Sequence, residues 1–178
     1  MVQIRCTQKL IKDIGLKDSD LSEVKSDGAM LGVWYANLFK MGRYKNVIFV
    51  NEATLFSFVA LSIKKKDLQN LSSVFLDGLE FALRTVKISR EDTESIKAKC
   101  EEPFEITKTA DRKVQGNVND LTYHYMHIFL ECNGELDEAI LHANQIPQRN
   151  LSWGDSTSAL YNLIENRRTP SVPAINQE

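Results

Sequence analysis

Residues 31–63 consist of short apolar runs separated by polar breaks, and apolar side chains occupy both of the alternating positions that face opposite sides of a β-strand. Three runs rich in aromatic and branched side chains span residues 33–39, 45–50 and 54–59. Short polar breaks separate the runs, and the first break holds Gly42, where a hairpin turn needs a positive φ. Runs this close together can pair only antiparallel, because a parallel return needs a crossover of about a dozen residues. The pattern predicts a three-stranded meander that is apolar on both faces.

Elsewhere, apolar residues recur at steps of three and four, which is the spacing of amphipathic helices. The predicted helices lie at 8–14, at 67–87, from 89 to before 103, from 116–120 to 133–134, at 136–144 and at 156–167. Alternating segments at 2–6 and 104–109 predict an N-terminal short strand and one later strand. We therefore expect an α+β fold, in which an antiparallel sheet built on the meander packs against four to six helices.

The 178 residues contain no internal repeat, no low-complexity tract and no linker that would divide them. We expect a single domain over residues 1–168, with a polar connecting loop at 16–29, and a flexible, proline-bearing tail at 169–178. The three cysteines are an odd number without metal-type spacing, which indicates free thiols.

Charge and hydropathy narrow the class of protein. The formal net charge of −2 argues against a general nucleic-acid binder, although it leaves room for a local basic patch. No apolar run approaches the length of a membrane span, and the first residues lack the apolar core of a signal peptide. We therefore expect a cytoplasmic protein that does not contact membranes.

The strongest candidate for a binding site is the predicted strand-to-helix turn at residues 106–120. Helix N-termini expose unpaired N–H groups and carry partial positive charge, so they bind anions, and neighbouring cations strengthen such a site. The turn predicts a phosphate or carboxylate site formed by Thr107, Lys108, Arg112, Asn117, Asn119 and Asp120, with Asn37 and Asn51 of the meander as neighbours. In the alternative interpretation the asparagines and the aspartate only cap the helix, and the cations are solvated turn residues.

A second polar cluster follows one face of the long predicted helix. It consists of Asp120, His124, His127 and Glu131. Two histidines and two carboxylates could hold a divalent metal, but the solvent face of any amphipathic helix looks the same and no further ligand is marked. We therefore predict no metal and no cofactor.

The chain resembles an uncharacterised bacterial family of domains of unknown function from residue 2 to about residue 165. The phrases that carry the resemblance are IRCTQKL at 4–10, WYANL at 34–38, NEATLFS at 51–57, LQNL at 68–71, ITKT at 106–109 and GNVND at 116–120. The resemblance implies a bacterial, cytoplasmic, single-domain protein and brings no activity, cofactor or catalytic residue with it. His124 and His127 do not belong to its pattern, which weakens the metal interpretation further.

These observations predict a non-enzymatic binding or regulatory module that acts on a protein partner or on a small anionic ligand. The alternative is a small phosphate-handling hydrolase or nuclease-like enzyme, in which the same cations hold phosphate and Asp111 or Asp120 is the base. An enzyme should show a concave pocket with a titratable group of perturbed pKa, whereas a binding module should show a cationic or apolar patch. Self-association through the aromatic meander is a third option.

Overall fold

Five strands and seven α-helices follow one another along the residues that the computed structural model describes, which are 2–24, 31–101, 104–109 and 112–168. The strands are β1 (Val2–Cys6), β2 (Val33–Met41), β3 (Tyr44–Asn51), β4 (Ser57–Ala60) and β5 (Phe104–Lys108). The helices are α1 (Gln8–Ile14), α2 (Lys65–Leu68), α3 (Leu71–Thr85), α4 (Arg90–Glu101), α5 (Arg112–Glu131), α6 (Leu136–Gln145) and α7 (Ser156–Arg168). The tail predicted at 169–178 and residues 25–29 of the predicted loop lie outside the described residues.

The strands form one sheet in the order β4-β3-β2-β1-β5. Neighbours in the meander β2-β3-β4 are antiparallel, as predicted, but β1 runs parallel to both β2 and β5. The prediction of an antiparallel sheet was therefore wrong, and the sheet is mixed. Alternation reveals that a segment is a strand but not its direction, and the long connection from β1 to β2 leaves room for a parallel crossover.

Two element boundaries differ from the sequence prediction for local reasons. The helix predicted at 67–87 divides into α2 and α3, because the side chain of Asn70 caps α3 by accepting a hydrogen bond from the Ser73 N–H. This division brings the helix count above the four to six expected. The third meander strand is shorter than predicted because the Asn51 side chain holds a turn, accepting from the N–H groups of Ala53 and Thr54.

An aromatic cluster covers one face of the sheet. Trp34, Phe49 and Phe58 meet Phe75 of α3, with ring centroids 5.3 Å apart for Trp34–Phe75 and 5.4 Å apart for Phe49–Phe75. Phe75 also reaches Phe104 of β5 at 5.9 Å. Edge-to-face and tilted pairs of this kind add to the stability that burial alone provides, so α3 holds this face of the sheet through its aromatic side chains.

The opposite face carries α5, and α6 closes the edge at β4. Tyr125 of α5 donates to the carbonyl of Ser57 at 2.8 Å. The Asn144 amide of α6 accepts from the Ser57 N–H at 2.8 Å and donates to the Ser57 and Ile140 carbonyls at 2.8 Å each. The side chain of Asn144 thus satisfies both backbone groups of the first β4 residue, as a neighbouring strand would.

Gly78 gives the first testable prediction. A Cβ at this position of α3 would lie 2.6 Å from Cε2 of Phe58, whose ring is held by Trp34, Phe49 and Phe75. We expect Gly78→Ala to lower the free energy of unfolding by about 1–3 kcal/mol, because overpacking outweighs the gain in helix propensity. Urea denaturation measures the change.

Gly116 in α5 provides the matched control, since an added Cβ there would meet nothing within 4 Å. Gly116→Ala should raise the free energy of unfolding by up to about 1 kcal/mol through helix propensity alone. If both substitutions raised the free energy of unfolding equally, the Phe58 ring would not clash with a Cβ at position 78.

Asn144 gives the second testable prediction. We expect Asn144→Ala to cost about 2–4 kcal/mol of unfolding free energy, because it leaves the buried Ser57 N–H unbonded and removes the link between α6 and β4. Asn150→Ala, at an exposed residue with a single hydrogen bond to Asn117, should change the same quantity by less than about 0.5 kcal/mol. Similar small losses in both variants would contradict the edge-closing role.

Candidate functional site

Polar side chains line the half of the sheet face where β5, β1 and β2 lie side by side. Arg5 is in register with Thr107 on one side and Tyr35 on the other, so the three side chains share one face. α5 packs against β2 and β3 on this face. We call the set the polar platform, and its members are Arg5, Thr7, Tyr35, Asn37, Glu52, Thr107 and Thr109.

Arg5, Tyr35 and Glu52 form one hydrogen-bonded network across the platform. The Arg5 guanidinium donates to the Tyr35 hydroxyl at 2.8 Å and to Glu52 Oε1 at 2.9 Å, and the Tyr35 hydroxyl donates to the same Oε1 at 2.9 Å. Desolvation by burial raises the pKa of Tyr35 to about 12, so the phenol keeps its proton at neutral pH. The network therefore has one positive and one negative charge, joined by a neutral hydroxyl.

A second polar row lies at the carboxyl ends of β1 and β5. The Thr7 hydroxyl donates to Asn37 Oδ1 at 3.0 Å, and the Thr109 N–H donates to the Cys6 carbonyl at 3.1 Å. Thr7 occupies the N-cap position of α1, but its side chain caps no helical N–H and bonds Asn37 instead. This row continues the parallel pairing just past the last residue of β1.

Two hydroxyls of the platform have no hydrogen-bond partner among the described residues. They belong to Thr107, which is 0% exposed, and to Thr109, which is 8% exposed. A buried polar group without a partner costs about 1–3 kcal/mol, and such groups are rare in folded proteins. Thr107 on β5 and Thr109 just past its end mark this end of the sheet as a place where the described protein groups do not complete the hydrogen bonding.

The chain topology at the same place is of the kind that favours a crevice. α1 leaves β1 on the aromatic face, where Asp13 pairs with Lys45 at 2.7 Å, and Lys45 alternates in phase with Phe49. α5 leaves β5 on the opposite face, where the Tyr125 hydroxyl lies 3.4 Å from Ser57 Oγ. Adjacent parallel strands whose connections leave on opposite faces have a crevice outside their carboxyl ends, which is where such sheets bind ligands.

The predicted site residues are divided between two places. Thr107 lies at the end of β5 on the platform face, and the next residue, Lys108, is exposed and alternates to the other face. α5 begins at Arg112, ahead of the predicted opening at Gly116, so Asn117, Asn119 and Asp120 lie inside the helix. The first turn of α5 is mostly polar, so apolar periodicity did not indicate where the helix begins. The side chain of Arg112 and the whole of Asp111 lie outside the described residues.

Asn117 and Asp120 line a separate cavity of about 210 Å³ with His124 and Gln148, where α5 meets the chain after α6. The amide oxygen of Asn117 accepts a hydrogen bond from Asn150 at 3.1 Å. Asn119 and Asp120 are exposed on α5.

The two meander asparagines have different surroundings. Asn37 belongs to the platform through Thr7. Asn51 lies on β3 and is buried, and its amide donates to the Leu31 carbonyl at 2.6 Å while holding the turn before β4. That turn contains Glu52, whose N–H donates to the Val33 carbonyl at 2.9 Å. Asn51 thus helps to place the carboxylate that Arg5 binds.

A family model described as "Domain of unknown function (DUF6933)" matches residues 3–158. The chain belongs to the DUF6933 family. This membership confirms the resemblance to a family of unknown function, and the matched range includes every residue of the polar platform. No curated protein matches the chain.

The other candidate residues of this DUF6933 domain lie outside the polar platform. Asp120, His124, His127 and Glu131 all lie on the exposed side of α5, and the ring of His127 packs against Tyr123 at 4.3 Å. Within the described ranges, no three His, Cys, Asp or Glu side chains are placed to hold a metal ion. The three cysteines are buried and free, as predicted. None of the described helices has the length and apolar character needed to cross a membrane.

Sequence reasoning missed most of the platform, although a signal was present. β1 is polar at Gln3 and Arg5, and the β5 segment is polar at Glu105, Thr107 and Thr109, always at alternate positions. Such alternation is typical of strands with one apolar and one polar face. The strand pairing was needed to show that these two polar faces are continuous.

The raised pKa of Tyr35 predicts a pH dependence. An unfolded tyrosine ionises near pH 10, so between about pH 10 and 12 unfolding releases a proton that the native state retains. The free energy of unfolding should therefore fall with rising pH, by up to about 1.4 kcal/mol per pH unit for this group. Tyr35→Phe should remove that part of the slope, as measured by urea denaturation at a series of pH values.

Tyr44→Phe is the matched control, because it removes a phenol that is half exposed at the hairpin turn. Burial also raises the pKa of Tyr125, but this contribution is common to all the proteins and cancels in the comparison. An unchanged slope in Tyr35→Phe would mean that water solvates this hydroxyl.

Proposed function

We propose that this DUF6933 protein is a non-enzymatic binding module that takes a small anionic ligand, a phosphate or carboxylate, at the carboxyl ends of β1 and β5. The observation that carries the proposal is the pair of buried hydroxyls of Thr107 and Thr109, which lack partners among the described residues. Hydroxyl donors form short, strong hydrogen bonds to anionic oxygens. The bacterial and cytoplasmic setting that the resemblance implies is part of the same proposal.

The electrostatics at this end of the sheet favour an anion. Lys108 is exposed at the end of β5, and α5 begins at Arg112 a few residues later. The first N–H groups of such a long helix have no partner within the helix and carry partial positive charge. Asn117, Asn119 and Asp120 lie beyond this first turn, so the proposal depends on the threonines, Lys108 and the helix start.

The hydrolase alternative lacks a suitable base among the described residues. Of the two bases considered, Asp120 is exposed within α5 beyond its first turn, and Asp111 lies outside the described residues. Two carboxylates on the platform side of the sheet already bond protein groups, because Glu52 binds Arg5 and Tyr35 while Glu105 accepts from Gln3 at 3.4 Å. Binding without catalysis is therefore the function that the geometry favours.

Substituting both threonines tests the proposal with two readouts. Thr107→Val with Thr109→Val removes the unbonded hydroxyls at nearly constant volume, so the ligand-free protein should unfold at an equal or higher temperature. The rise in unfolding temperature that inorganic phosphate or citrate gives the natural protein, at constant ionic strength, should disappear in this variant. Lys108→Ala should weaken the affinity for phosphate by about tenfold.

Two substitutions serve as controls. Thr122→Val removes a hydroxyl that bonds the Val118 carbonyl at 2.7 Å, and Lys66→Ala removes an exposed lysine on α2. Both variants should keep the response to phosphate. A natural protein that responds to none of the anions, or a double valine variant that responds as strongly as the natural protein, contradicts the proposal.

A further inference from the structure

The polar platform is larger than an inorganic anion needs. Its two rows, Thr109–Thr7–Asn37 and Thr107–Arg5–Tyr35, are two residues apart along the strands, which corresponds to about 7 Å. Each row crosses three strands, which corresponds to about 10 Å. An anionic group beside Lys108 and the start of α5 would occupy only one end of this area.

The Arg5–Tyr35–Glu52 network occupies the other end and has a specific chemical character. Its single positive and single negative charge are already paired at 2.9 Å, so the two charges largely offset each other and the network as a whole favours neither an anion nor a cation. A neutral hydroxyl group faces no such penalty, because it both donates and accepts.

Glu52 is the group through which the network can reach a ligand. Its side chain is 38% exposed, whereas that of Arg5 is 14% exposed. The Glu52 carboxylate accepts two hydrogen bonds from the described residues, and both go to Oε1. Its Oε2 is therefore left as an acceptor for a ligand. Arg5 and Tyr35 fix the orientation of the carboxylate in advance, so a ligand hydroxyl would bind without the cost of ordering it.

We infer that the ligand is an organic anion that carries hydroxyl groups, such as a polyol phosphate or a hydroxylated carboxylate. Its anionic group bonds Thr107 and Thr109 at the end of the strand that also carries Lys108, and its hydroxyls bond Glu52 and the amide of Asn37. This inference rests on the proposed function, because it assigns the second half of the same site.

A pair of phosphate esters that differ only in hydroxyl groups tests the inference. Glycerol 3-phosphate and propyl phosphate have the same chain length and the same anionic group. Isothermal titration calorimetry of the natural protein should give a Kd for glycerol 3-phosphate at least about tenfold lower than that for propyl phosphate. Inorganic phosphate, measured alongside, reports on the anionic half of the site alone.

Glu52→Gln and Tyr35→Phe should both reduce the preference for glycerol 3-phosphate to about twofold or less, while the Kd for inorganic phosphate stays within about twofold. Tyr35→Phe keeps the direct Arg5–Glu52 pair, so it provides a folded variant if Glu52→Gln fails to fold. Thr122→Val should retain the full preference.

The outcomes separate the two proposals. If inorganic phosphate binds but the two esters bind equally, the inference about hydroxyl groups is wrong and the anion site stands. Equal losses for phosphate and for both esters in Glu52→Gln would also overturn it, because Glu52 would then support the anion or the fold. If no phosphate compound binds the natural protein, the proposed function fails and this inference fails with it.

Discussion

The parallel pairing of β1 with both β2 and β5 is the constraint on which the rest of the structure depends. A parallel neighbour can be reached only by a connection that crosses a face of the sheet. The chain therefore carries α1 over the sheet between β1 and β2, and carries α2, α3 and α4 between β4 and β5. The same pairing brings the ends of β1 and β5 together, with helices leaving on opposite faces.

The two halves of the sheet differ in how they are stabilised. Where β2, β3 and β4 lie, both faces are covered by helices, and close packing decides the details, as where Phe58 fits against Gly78. Where β5 and β1 lie, one face is polar although most of it is buried, so hydrogen bonds must replace apolar packing. Burial without apolar contact is a cost to the fold, and this cost is the reason that we propose that half as the place for binding.

Much of the fold could be predicted from the sequence, because local periodicity determines local structure. The strands of the meander and the helices α6 and α7 follow their apolar spacing within a few residues. The short turns predicted the antiparallel direction of the meander, but the directions of β1 and β5 were not predictable, since parallel and antiparallel strands show the same alternation. The platform was not predictable either, because Arg5, Glu52 and Thr107 are far apart in the chain and only the order of the sheet joins them.

Comparing two buried polar clusters shows why the platform is assigned to binding rather than to stability. Around Ser57, the groups of Asn144 and Tyr125 bond one another and the backbone, and the cluster leaves nothing for a ligand to complete. On the platform, Thr107 and Thr109 are equally buried, but the described residues do not complete their hydrogen bonding. A fold selected only for stability would replace such hydroxyls with valine, since an apolar group of the same shape avoids the desolvation penalty. Keeping two of them beside an exposed lysine and a helix start is costly in the free protein and becomes favourable when an anion accepts their hydrogen bonds.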